Sequence, residues 1–140
     1  MMNRICTCLA ITAFMLTGCG GAQDDLPELS AVTGIITLDG QPLSGASVVF
    51  ESQEEGRGIS AAQTDEQGHY ELMFGAGTYA GAKPGKHLVR IKTEKVTTDD
   101  AGNETRSKEL LPPKYNYNTE LVVTVTTEKT EGYDFELKSK

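Results

Sequence analysis

From Val32 to Leu137 the apolar residues of this 140-residue chain tend to return at every second position. Val32, Ile36 and Leu38 share one parity, and Ala46, Val48 and Phe50 form the next run. Tyr70, Leu72 and Phe74 follow, then Val89 and Ile91, then Leu121, Val123 and Val125, and last Tyr133, Phe135 and Leu137. A period of two turns one face of an extended strand toward a core and the other toward water, because successive side chains project to opposite sides. In the last run Asp134, Glu136 and Lys138 interleave with the apolar set, so one face of that strand is wet. No stretch of comparable quality has helical spacing. Between the runs stand Asp39-Gly40, Gly56-Arg57-Gly58, Asp65-Glu66-Gln67-Gly68, Pro84-Gly85 and Glu131-Gly132, the chemistry of tight reversals. The pattern predicts an all-β fold: a single antiparallel β-sandwich of about seven strands over residues 32–138.

The N-terminal residues follow another logic. Arg4 precedes an apolar stretch from Ile5 to Leu16, which is shorter than the roughly 20 residues a membrane-spanning helix needs. It reads as the hydrophobic region of a secretory signal. Leu16-Thr17-Gly18-Cys19 follows at once and resembles the lipobox of bacterial lipoproteins: an apolar residue, two small ones, then the cysteine that is acylated. The resemblance implies a signal peptide at 1–18, lipidation of Cys19 with palmitate-like chains, and residence in the bacterial cell envelope. Cys6 and Cys8 lie inside the leader, which leaves Cys19 as the sole mature cysteine and no disulfide to support the fold. Residues 19–31 comprise this cysteine and a flexible, acidic tether that reaches about 40 Å when extended. In the lipoprotein family an aspartate after the cysteine signals inner-membrane retention. Gly20 at that position implies the outer membrane.

Charge narrows the partners. The chain carries 13 basic and 20 acidic residues for a formal net charge of −7, and the leader removes only Arg4 from that balance. Nucleic acid is excluded as a partner, since it demands a concentrated basic surface. The expected attachments are the membrane, through the lipid, and an unidentified envelope protein or glycan.

Three turn–strand modules carry a second resemblance. Asp39-Gly40-Gln41-Pro42-Leu43-Ser44-Gly45-Ala46-Ser47-Val48, then Thr64-Asp65-Glu66-Gln67-Gly68-His69-Tyr70, then Pro84-Gly85 leading into Val89, look like the carboxypeptidase regulatory-like, transthyretin-like domain. Leu111-Pro112-Pro113-Lys114-Tyr115, Thr119 and the closing Phe135-Glu136-Leu137 resemble small lipoproteins of planctomycete bacteria that carry this domain. Each module also has a local reading. Asp39-Gly40 permits a tight reversal, Pro42 presets φ, Asp65 accepts amide hydrogens within its turn, and Gly68 admits a left-handed backbone.

Chemistry is sparse by comparison. The two histidines, His69 and His87, each begin a predicted strand without an identifiable partner, and no Gly-x-Ser-x-Gly turn is present. Hydroxyisourate hydrolases, an enzyme group on the transthyretin-like fold, have an early histidine and a closing Tyr-Arg-Gly-Ser. This chain has Val32-Thr33-Gly34 and Glu136-Leu137-Lys138-Ser139-Lys140 instead. Asp99-Asp100-Ala101-Gly102-Asn103-Glu104 gathers oxygen ligands of the kind calcium takes but lacks EF-hand spacing. No metal or cofactor is expected. Without tryptophan, the aromatic contact residues are Tyr79, Tyr115 and Tyr117, all in predicted loops. The polar stretch from Thr93 to Pro113 reads as the longest and most mobile connection. The expectation is a non-catalytic envelope lipoprotein, a structural or binding module that acts through its loops. The alternatives are a transthyretin-like hydrolase with an unrecognised site and a calcium- or carbohydrate-binding surface domain.

Overall fold

The turn residues act first. Asp39 and Gly40 adopt φ of 50° and 82°, two left-handed residues in succession, as the tightest hairpins demand. They fold β1 (Thr33–Leu38) back onto the short β2 (Gln41–Pro42). The chain continues through β3 (Ser47–Ser52), β4 (Ile59–Gln63), β5 (His69–Glu71), β6 (Met73–Phe74), β7 (Tyr79–Ala80) and β8 (Gly85–Lys92). It closes with β9 (Val96–Thr98), β10 (Glu104–Arg106), a 3-10 turn (Pro113–Tyr115), β11 (Val122–Val125) and β12 (Phe135–Leu137). This computed structural model describes residues 26–140. The expected signal peptide, Cys19 and the first part of the tether lie outside the described residues.

Two sheets form an all-β sandwich. The larger has the order β11–β8–β3–β4–β6–β7, and the smaller has the order β12–β1–β2 with β5 paired to the first half of β1. Among the described residues all strand pairings are antiparallel except β1 with β12, which run parallel in the register Ile36 with Phe135 and Leu38 with Leu137. The chain reaches β12 from β11 by crossing between sheets, and it therefore enters alongside β1 in the same direction. Strand number also differs from the sequence expectation, because the two-residue strands β2 and β7 are too short to show an apolar period and the run Tyr70, Leu72, Phe74 is divided between β5 and β6.

The inward parity holds. Val32, Ile36, Val48, Phe50, Leu72, Val89 and Ile91 are wholly buried, each contributing about 1.5–3 kcal/mol by leaving water. Phe50 lies centrally, with ring centroids 6.4 Å from Tyr70, 6.1 Å from Phe135 and 5.8 Å from His87.

Two segments depart from the sequence expectation. Ser30, placed in the tether, is buried, pairs with Ala82 across an isolated bridge, and donates from Oγ to the Thr126 carbonyl at 2.8 Å. Among the described residues the first pairing of the chain therefore lies beside the Gly85 end of β8, where Val125 pairs with Gly85. The 93–113 connection, expected to lack structure, holds the β9–β10 hairpin with Thr97 opposite Thr105. Every residue of both strands is exposed, so no buried face imposes an alternation that a sequence reading could detect.

Candidate functional site

The three tyrosines nominated by the sequence separate in space. Leu111 is buried and two prolines follow it, setting up the 3-10 turn. Asn116, wholly buried, fastens that turn: Nδ2 donates to the Pro112 carbonyl at 3.3 Å and Oδ1 accepts from the Tyr117 amide at 2.8 Å. The turn sends its alternate tyrosines to opposite sides. Tyr115 goes inward, becomes part of the core, and accepts the Lys138 amide on its hydroxyl at 3.0 Å. The expectation that Tyr115 is a loop contact residue is thus corrected: the double proline and Asn116 hold it in the interior. Tyr79 also lies in a strand rather than a loop, half-buried and opposite Phe74 on β7. That strand is the far edge of the larger sheet, four strands from β8, or about 19 Å at 4.8 Å per strand.

Tyr117 alone faces solvent, with 58% of its surface exposed. Its hydroxyl donates to Glu94 Oε2 at 3.0 Å, and Lys92 Nζ lies 4.6 Å from the ring centroid. The accepting Glu94 carboxylate, which also repels a phenolate, raises the Tyr117 pKa above 10.0, while the Arg106 guanidinium acts in the opposite direction. The ring is therefore exposed yet held, at the end of β8 away from Gly85.

Glu109 organises the ground beneath it. Its carboxylate accepts the Thr93 amide at 3.0 Å and 3.1 Å, the Glu94 amide at 3.1 Å, the Leu111 amide at 2.9 Å and the Thr93 hydroxyl. Burial raises its pKa, but the bonds from Thr93, Leu111 and Glu94 outweigh burial and leave it below 4.5. This clamp joins the segment that enters the hairpin to the one that leaves it. No sequence signal marked it, because an acid between Lys108 and Leu110 looks like any solvated charge.

The remaining candidates have local duties. His69 is exposed, with Nδ1 3.9 Å from Asp65 Oδ2, and borders an open hollow of about 320 Å³ lined by Thr33, Ile35, Glu131 and Asp134. Asp134 there accepts the Ile35 amide at 2.8 Å. His87 is buried, with Nε2 2.8 Å from the Lys83 carbonyl, and a carbonyl accepts, so Nε2 carries the proton. Its Nδ1 and the Ser60 hydroxyl are buried without partners and do not bond each other, so these two residues form no hydrogen-bonded serine–histidine pair. In the 99–104 loop, Asp99 accepts from the Ala101 amide at 2.9 Å and from the Asn103 amide and side chain at 2.8 Å and 2.9 Å. These bonds close the hairpin turn and occupy both oxygens of Asp99. Among the described residues no three histidine, cysteine or acidic side chains gather to hold a metal ion.

No protein-family model matches the chain, and no curated protein matches it. Among solved structures it is similar to a 9R-lipoxygenase from Cyanothece PCC8801, at 17% identity and a TM-score of 0.44. The match covers 79% of this chain and 16% of the lipoxygenase.

Proposed function

We propose that this chain is a non-catalytic envelope lipoprotein, anchored through Cys19 in the outer membrane, whose carboxypeptidase regulatory-like, transthyretin-like domain binds an envelope partner. The reading rests on the Tyr117 surface. An exposed aromatic side chain normally loses rotamer freedom on binding, at about 0.5–1.5 kcal/mol, whereas Tyr117 is already restrained by Glu94 and Lys92. Placement supports the same reading. The chain enters the domain at Ser30, beside the start of β8, and Tyr117 lies past the other end of that strand. An eight-residue strand spans about 26 Å, so a domain tethered at one end presents Tyr117 at the other.

Chemical cross-linking in intact cells, followed by mass spectrometry, tests this. The expected result is a repeatable neighbour that is retained in Tyr79→Ala and lost in Tyr117→Ala, with Cys19→Ser released from the membrane fraction. A neighbour indifferent to Tyr117→Ala overturns the binding surface. A Cys19→Ser protein that stays membrane-bound overturns the anchor.

A further inference from the structure

We propose that the free edge of β11 is a self-association surface, on which two copies of this chain pair antiparallel about a two-fold axis through Val123. The proposal does not rest on the Tyr117 reading.

The edge follows from the register. β11 stands at one end of the larger sheet and pairs only with β8 among the described residues. The Val89 amide donates to the Leu121 carbonyl at 2.9 Å, and this fixes the alternation. Leu121, Val123 and Val125 turn their backbone groups toward β8, whereas Val122 and Thr124 turn theirs away. Both of these residues are exposed, and among the described residues nothing bonds to the amide or carbonyl of either. The chain itself closes the window at each end. The Glu120 amide donates to the Lys114 carbonyl at 3.3 Å, the Thr126 amide donates to the Tyr133 hydroxyl at 3.3 Å, and the Thr126 carbonyl accepts from Ser30 Oγ at 2.8 Å.

An open edge is normally blunted by lysine, proline, a bulge or extreme shortness. β7, at the opposite end of the same sheet, has only two residues. β11 carries none of these devices: Val122-Val123-Thr124-Val125 is uncharged, lacks proline and keeps an unbroken register with β8.

A second copy fits because the window is its own complement. Two open residues spaced by two match themselves under a two-fold axis, so that Val122 faces Thr124 of the second copy and Thr124 faces its Val122, with four backbone hydrogen bonds exchanged. Val123, half-buried, then meets itself as a non-hydrogen-bonded pair, the arrangement in which side chains lie closest. Charge agrees with this register. The chain is acidic overall, yet the paired window holds no charge to repel its copy. Lys86, opposite Thr124 on β8, falls on the same face as Glu120 of the second copy, with about 12 Å between Cα atoms, from two strand spacings and one two-residue step. Two long side chains reach across that gap. Neither Lys86 nor Glu120 has an opposite charge within 4.0 Å among the described residues. An unrelated extended peptide gains the backbone bonds alone, whereas a second copy adds two such lysine–glutamate contacts.

A contact of this size belongs with transient interfaces, so covalent trapping reads it best. The purified full-length chain, in detergent micelles held in excess over protein, is exposed to a mild oxidant. The parent has no cysteine beyond Cys19 and sets the background. In the proposed register the Cα atoms of the two Val123 residues stand about 4.5 Å apart, within the range that a disulfide spans. Those of two Val122 or two Thr124 residues stand about 8 Å apart, beyond it. Val123→Cys is therefore expected to yield at least tenfold more dimer than Val122→Cys or Thr124→Cys, although the latter two positions are the more exposed. Mixing Val122→Cys chains with Thr124→Cys chains, about 5.5 Å apart in this register, should yield dimer that neither forms alone, and it alters no buried side chain. Val122→Lys, which sets a charge on the edge, should cut trapping through Val123→Cys at least tenfold. Circular dichroism checks that each variant is folded. Dimer yields that follow exposure instead of register overturn the proposal, as does trapping indifferent to Val122→Lys. No dimer above background from Val123→Cys and from the mixture also overturns it, and leaves the edge to a strand of another protein.

Discussion

The Tyr70 hydroxyl, inside the sandwich, donates a 2.6 Å hydrogen bond to the backbone carbonyl of Tyr133, 63 residues further along the chain. Tyr133 returns its own amide to the Thr33 carbonyl at 3.1 Å. Gly34 sits at the junction of the three segments, where any side chain would collide with the Tyr133 carbonyl and press on the Tyr70 ring. The smaller sheet is thus closed by a polar bond across a position that has room for hydrogen alone.

Gly34→Ala is therefore expected to cost about 3 kcal/mol, the upper part of the usual overpacking range. Tyr70→Phe, which removes only the hydroxyl, should cost about 1–2 kcal/mol through the unpartnered carbonyl. Urea denaturation measures both, and a Gly34→Ala protein as stable as the parent would contradict this account of the junction.

Thr64 performs a comparable service between sheets. Its hydroxyl accepts the Ala46 amide at 2.9 Å and donates to the Leu43 carbonyl. Thr64→Val keeps the shape and strands both backbone groups, so a loss of about 1–3 kcal/mol is expected. Thr97→Val on the exposed hairpin should change stability by less than about 0.5 kcal/mol. Thermal unfolding of the two variants side by side distinguishes them.

The hairpin should loosen in acid. The Glu109 pKa is depressed on folding to below 4.5, so the stabilisation it supplies is complete above that value. It is lost as pH falls through the lower folded value. Amide hydrogen exchange, corrected for its intrinsic pH dependence, should show the Thr93, Glu94 and Leu111 amides losing protection over that interval before the Leu121–Val125 region does. In Glu109→Gln these amides should be less protected at neutral pH, and the acid step should be absent.

Tyr117 offers a spectroscopic check of its own restraint. Its phenol is expected to ionise above 10.0, chiefly because Glu94 accepts its hydrogen bond and repels the phenolate. Ultraviolet difference titration of the parent against Tyr117→Phe isolates that transition. Glu94→Gln should move it back toward the ordinary value, and an unmoved transition would dissociate Tyr117 from Glu94 in solution.

What the sequence by itself determined was the fold class and the inward side of each longer strand. Val48, Phe50, Tyr70, Val89, Ile91 and Leu137 are all buried, because a half-buried strand writes its geometry into a period of two and a tight turn writes its own into residues such as Asp39-Gly40. The β9–β10 hairpin was illegible for the same reason, since strands exposed on every side carry no such period. Tertiary structure alone decided the site. In Tyr115-Asn116-Tyr117 the sequence shows two equivalent aromatics, and only the buried amide of Asn116, anchored to the Pro112 carbonyl, turns one into the core and the other to solvent. The pairing of β12 with β1, the closure of Tyr70 on Tyr133, and the convergence of Lys92 and Glu94 on Tyr117 likewise join residues far apart in the chain. Local propensity constrains neighbours, whereas such long-range meetings are set by how two packed sheets share one interior.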